Sequence, residues 1–254
     1  MSKTCFSRAD SNRETGLAPV KPLKIRYLLV AASIVLGSGS AGLGAQSPPA
    51  GQASSAPLPN AAAAPATGSI TIDGKLDESA WAKATPITDF RQQQPQEGAT
   101  ASQRTEVRVL YGPRALYIGA RMYDSLGGRG IRAPLARRDQ LLDSNGNNGA
   151  FNSLTTDKLI VILDPYHNHI DQAWFEINPA GVRGDQFNGD PSWDPIWQAA
   201  TQVDSLGWSA ELRIPYSQLR FSRDSLQTWG MQIWRYTDRL NEQDMWSFRT
   251  KSEA

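Results

Sequence analysis

From Gly68 onward the chain is written in short runs of alternating apolar and polar residues, cut by Gly, Pro, Asn and Asp. Thr105, Val107 and Val109 alternate with Glu106, Arg108 and Leu110. Leu116, Ile118, Ala120 and Met122 alternate with Tyr117, Arg121 and Tyr123. Trp208, Ala210, Leu212 and Ile214 alternate with Ser209, Glu211 and Arg213, and Trp229, Met231 and Ile233 with Gly230, Gln232 and Trp234. A period of two puts one set on each face of a strand, so each run has one face to bury. Many such runs with few helical patterns predict an all-β fold, an antiparallel β-sandwich with one or two short helical turns. The run 159–163, LIVIL, is apolar throughout, and a strand covered on both faces belongs at the centre of its sheet.

The connections follow from turn chemistry. Asp73-Gly74 ends an expected strand at 69–72, and Asp77 and Glu78 open a short helix whose Trp81 is expected to plug one end of the sandwich. Gly112-Pro113-Arg114 closes a hairpin. Asn178-Pro179-Ala180-Gly181 reverses the strand at 173–177 into a return over 182–187. Further strands are expected at 199–203 and 245–248, and the aperiodic stretch 125–155 is a long loop, open to two readings, a rim of the ligand site or plain disorder.

The first quarter is of different texture. Lys21, Lys24 and Arg26 precede an apolar run, 27–36, and small residues up to Ala45, the pattern of a secretory signal over 1–45. Residues 46–68 are Pro, Ala, Ser and Gly with almost no charge, a flexible linker, and 69–254 form the folded domain. Cys5 is the sole cysteine and lies upstream of the expected cleavage point, so the exported domain has no thiolate chemistry. The predicted location is the periplasm, the outer membrane or the exterior. With 26 Lys and Arg against 25 Asp and Glu, no charge imbalance argues for nucleic acid or an anionic membrane surface, and a neutral partner fits better.

One stretch carries the functional reading. Over 173–197 the chain reads AWFEINPAGVRGDQFNGDPSWDPIW, placing Trp193 and Trp197 on a Pro- and Gly-broken loop near short carboxylates and amides. Ring faces stack on the C–H face of a sugar while hydroxyls need directional partners. The candidate contacts are Trp193 and Trp197 as stacking surfaces, Asn178, Asp185, Arg235 and Glu242 as hydrogen-bond partners, and Trp246 as a third ring. A network that staples the Asn178 turn to neighbouring strands is the competing role for the polar group. His167 and His169 form an H-x-H pair without further ligands at a recognisable spacing. Glu176 and Glu211 face away from the apolar side, where arginine pairing is expected rather than a glycosidase role, and no nucleophile elbow, zinc motif or phosphate loop is present. The domain is expected to be non-catalytic.

Several motifs accumulate along the chain: IDGKLDESAW over 72–81, VRVLYGPRALYIGARMYD over 107–124, DKLIVILDPY over 157–166 and FEINPAGVRGD over 175–185. SWDPIW over 192–197, GWSAELRIPYSQLRF over 207–221 and WGMQIWRYTDRLNEQDMW over 229–246 complete the set. Together they resemble a family-9 carbohydrate-binding module of the DOMON-like type. More narrowly they resemble the version heading bacterial secreted or outer-membrane proteins, ahead of a predicted C-terminal β-barrel of unknown function. The resemblance implies a monomeric β-sandwich that binds polysaccharide or oligosaccharide in the service of polysaccharide breakdown, with calcium bound in some members. It also implies a following barrel as the only membrane element beyond the signal. Family members hold a sugar end between two Trp rings, with a Glu from a central D-x-V-E strand. Here that strand reads Asp157-Lys158-Leu159-Ile160, so Ile160 stands at the carboxylate's place. Two readings stay open: a carbohydrate-binding domain, or a structural or protein-interaction sandwich of the cell envelope that has lost sugar binding.

Overall fold

The computed structural model describes residues 23–27, 59–139 and 155–250. In chain order the elements are β1 (Leu23–Tyr27), β2 (Asn60–Ala62), β3 (Ala64–Pro65), α1 (Ser79–Lys83), β4 (Arg91–Gln94), β5 (Thr105–Tyr111) and β6 (Ala115–Tyr123). They continue as β7 (Lys158–Asp164), β8 (Ala173–Ile177), β9 (Arg183–Phe187), β10 (Gln198–Asp204), β11 (Gly207–Pro215), β12 (Gln227–Thr237) and β13 (Glu242–Met245). Two sheets form. The larger runs β2-β1-β12-β7-β8-β9, with β13 also paired to β12 and β4 to β13; the smaller runs β10-β11-β6-β5-β3. Pairing is antiparallel except for β1 with β12 and β3 with β5. The chain is an all-β sandwich.

The alternation determines which residues meet between the layers. Val107 and Val109, the Leu116–Met122 set, and Trp208, Ala210, Leu212 and Ile214 face across to Leu159, Val161, Leu163, Phe175, Ile177, Trp229, Met231 and Ile233 in one buried cluster. Each such side chain contributes about 1.5–3 kcal/mol on leaving water, so a register slip of one residue is strongly disfavoured. β7 lies between β12 and β8 with every residue buried, as a continuous apolar strand requires. β12 is long enough to hold β7 along one edge while the other edge takes β1 at 227–231 and β13 at 234–237.

Three expectations need correcting. The segment 69–72 is not a strand; the edge strands lie earlier, at β2 and β3, inside the stretch read as a linker. Backbone pairing rather than side-chain content holds them, which an Ala- and Pro-rich composition does not advertise. The last strand is β13, earlier than the expected 245–248. Trp81 does not plug an end of the sandwich: it lies with Leu76 against the outward face of the smaller sheet, over Gly119. A Cβ there would sit 2.6 Å from Leu76 Cδ2 and 2.9 Å from the Trp81 ring, so only glycine admits the indole.

The two strand glutamates also find partners other than the arginines expected. Glu176 pairs with Lys158 at 2.9 Å, both side chains buried. Glu211 accepts the backbone N–H of Asp73 and of Gly74 at 2.9 Å and the Trp81 indole N–H at 3.0 Å, clamping the Asp73-Gly74 turn onto the sheet. Burial pushes its carboxyl up to about 7 against the pull of those donors.

Candidate functional site

The loop between β9 and β10 carries two indoles four residues apart, and the fold separates them. Trp197 is sealed at 2% exposure, its ring edge-on to Phe175 at 5.3 Å. Its indole N–H donates to Asp185 Oδ2 at 2.9 Å, and Arg138 donates to the same oxygen at 2.7 Å. Arg138 also bonds Pro195 O and pairs with Asp194 at 2.7 Å, while Arg183 donates to Trp197 O and lies over the indole. Burial raises the Asp185 carboxyl while the bonds from Trp197 and Arg138 oppose it. Asp185 is a clasp that anchors the loop.

Trp193 is half-buried. Its ring leans on Phe175 and Phe187, each 5.7 Å away between centroids. It forms one wall of a groove of 380 Å³ completed by Pro165, Tyr166, Asp171, Phe187, Gln218, Leu219 and Arg220. Three elements meet here: the turn after β7, the end of β9 with its loop, and the turn that follows β11. Tyr166 is 46% exposed. Gln218 is held in place, accepting the Ile196 N–H at 3.0 Å and donating to Ser217 Oγ at 3.2 Å. Asp171 accepts from Asn168 Nδ2 at 2.8 Å and Asn188 Nδ2 at 3.2 Å. Rings that give an apolar floor, with an amide, a carboxylate and a guanidinium at its margin, can stack a sugar and satisfy its hydroxyls.

The other nominated residues are elsewhere and inside. Asn178 is fully buried; its Oδ1 accepts from the N–H of Ala180 and Val182, and its Nδ2 donates to Pro134 O and Thr156 Oγ1. It staples its own turn and the 132–134 segment, the competing role given above. Arg235, 1% exposed, donates to the carbonyls of Gln103, Arg104 and Tyr123 and to Thr105 Oγ1. Glu242 accepts the Ser102 N–H at 2.7 Å, so both grip the same segment across the sandwich. Trp246, at 5% exposure, belongs to the core cluster. Six of the seven candidates are thus buried; Trp193 is the one whose half-exposed ring walls a groove, while Trp246 reaches a second groove, beside Asn60 and Pro86, only by a 5% exposed edge.

Tyr166, Asp171, Phe187, Gln218 and Arg220 were missed. Tyr166 and Arg220 stand in the DPY and QLRF ends of two quoted motifs. Nothing local marks them, since they meet only once β7 and β11 stack in opposite sheets. A second aromatic pair lies on the outward face of the larger sheet, where Trp174 and Trp234 meet edge-on at 5.1 Å over Ile160 and Ile162. Among the described residues no group of three or more His, Cys, Asp or Glu side chains is placed to hold a metal ion.

No protein-family model matches the chain, and no curated protein matches it. Among solved structures it is similar to a family-9 carbohydrate-binding module from Caldicellulosiruptor kristjanssonii in complex with cellotriose. Identity is 16%, 72% of this chain and 82% of that one are covered, and the TM-score is 0.47. It is also similar to such a module from that organism in complex with glucose, at 15% identity over 72% and 83% of the two chains, with a TM-score of 0.46. The likeness is one of fold.

Proposed function

We propose that this chain is a non-catalytic carbohydrate-binding domain whose ligand is an oligosaccharide or polysaccharide, stacked on Trp193. The observation that carries the reading is the Trp193 groove, where partly exposed Tyr166 and Trp193 share a cleft with Asp171, Gln218 and Arg220. The two strand carboxylates that could serve hydrolysis are engaged, Glu176 with Lys158 and Glu211 with backbone N–H groups. The domain acts as a monomer in an exported protein, in the periplasm, at the outer membrane or outside the cell, and serves polysaccharide breakdown. The signal-like run at 27–36 supports export. Cleavage after Ala45 would also remove β1 and uncover the 227–231 edge of β12.

The test is calorimetric titration of the folded chain with soluble glucan and xylan fragments. Saturable heat that disappears in Trp193→Ala, with far-ultraviolet circular dichroism unchanged, is the expected result. A structural or protein-interaction sandwich is the second reading, favoured by Ile170 and Ile196, 71% and 77% exposed beside groove residues Asp171 and Gln218. A flat titration across a broad glycan panel with folded, monomeric protein would support it.

A further inference from the structure

The groove's charges are not equivalent. Both Asp171 oxygens are occupied, Oδ1 by Asn188 and Oδ2 by Asn168. The nearby acids of the Trp193 loop are occupied too, Asp185 and Asp194 by Arg138. Arg220 differs: exposed and lining the groove, it has no hydrogen bond or ion pair among the described residues. Arg121, Arg239 and Arg235 are engaged, with Asp204, Asp124 and four backbone and side-chain oxygens; the Arg114, Arg129 and Arg223 side chains are as exposed and unpaired as Arg220 among the described residues, but Arg220 alone of the four lines this groove. Asp171 keeps its charge on the same groove but is turned to Asn168 and Asn188, so Arg220, a cation with no ion-pair partner beside an aromatic floor, is complementary to a ligand that is flat, partly apolar and anionic. Guanidinium matches carboxylate geometry with two parallel N–H donors.

Resting on the reading above, we infer that the groove selects acidic sugars, with a uronic-acid carboxylate on Arg220 while the ring's C–H face lies on Trp193. Gln218, already fixed by Ile196 and Ser217, is placed to meet a hydroxyl at the same margin. Neutral sugars keep the stacking contact and lose the charged one.

The test compares short oligosaccharides of galacturonate, mannuronate and glucuronate-branched xylose, each against its own methyl ester, titrated into the full chain. The ester keeps the sugar and masks the charge. At least one acid is expected to bind about tenfold or more tighter than its ester, because a charge-assisted hydrogen bond exceeds a neutral one by this order. The preference should shrink as salt is raised, and Arg220→Gln should bring acid and ester together, lowering the acid's affinity far more than the ester's. Equal binding of acid and ester in the parent chain, or a preference that survives Arg220→Gln, overturns the inference while leaving the Trp193 reading intact. No binding of any acid or ester overturns the inference alone where glucan or xylan fragments still bind, and binding that Trp193→Ala does not weaken overturns both.

Discussion

The Trp193 groove and the interior around Arg235 hold the same kinds of side chain under opposite conditions. At the groove, rings, an amide, a carboxylate and an arginine face a cleft open to water. Around Arg235, another arginine with Glu242 and Asp244 lies within the protein, each at 2% exposure or less. There the polar atoms close the fold: Arg235 spans from β12 to the carbonyls of Gln103, Arg104 and Tyr123, and Glu242 holds Ser102. The difference teaches that aromatic and charged composition does not mark a binding surface. Whether the polar atoms are already taken does.

The widest separation between the two regions should appear in stability. Arg235→Ala strands three carbonyl acceptors and leaves Asp244 without its nearest cation, and should cost about 3–5 kcal/mol; urea unfolding measures it. Trp197→Ala should cost a comparable amount, about 3–5 kcal/mol, by opening a cavity beside Phe175 and freeing Asp185. Either variant unfolding like the parent chain would erase the distinction.

Next comes Trp193→Ala, which should reverse the pattern. Its stability loss should stay near 1–2 kcal/mol, since one side of the ring already faces solvent, while sugar binding falls about tenfold or more. Asp185→Asn should fall between the two, loosening the Arg138 clasp for roughly 1–3 kcal/mol and weakening binding only through the loop's position.

The smallest effect is one of pH. Burial raises the carboxyls of Asp157 to about 6 and of Asp244 to about 8, with Glu242 adding to the latter and Arg235 opposing it. A folded-state pKa above the unfolded value contributes stability that is complete below the unfolded value, near pH 4, and is lost as pH rises through the folded one. Thermal unfolding should therefore occur at lower temperature at pH 9 than at pH 5, and Asp244→Asn should flatten much of that slope. Sugar affinity should not follow that slope, and a matching change in affinity would break the contrast.

The β-sandwich was legible because its signal is local and repeated. Period-two runs pointed to β5, β6, β8, β11 and β12, the continuous apolar run to β7, and Pro- and Gly-bearing turns to both the Gly112 hairpin and the Asn178 reversal. What failed was long-range or side-chain-free. β2 and β3 are held by backbone pairing to β1 and β5, which an Ala- and Pro-rich stretch does not announce. The stretch around Trp193 was correctly singled out, yet its polar partners were sought among Asn178, Asp185, Arg235 and Glu242. Those side chains are spent on backbone N–H and C=O groups, on Thr hydroxyls, on the Trp197 indole and on Arg138, and no periodicity reveals that. Tyr166, Gln218 and Arg220 lie on turns far apart in sequence and converge only through the sheet order. The expected loop rim at 125–155 is described only in part, since 140–154 lie outside the described residues.

The most direct measurement of the central claim is the indole N–H region of a nitrogen-15 correlation spectrum, where each of the eight tryptophans gives one resonance. On adding a sugar that binds, the Trp193 signal should move progressively while those of Trp197, Trp208 and Trp229 stay fixed. Movement confined to Trp174 and Trp234, with Trp193 unmoved, would place the ligand on the opposite face of the larger sheet and contradict the account.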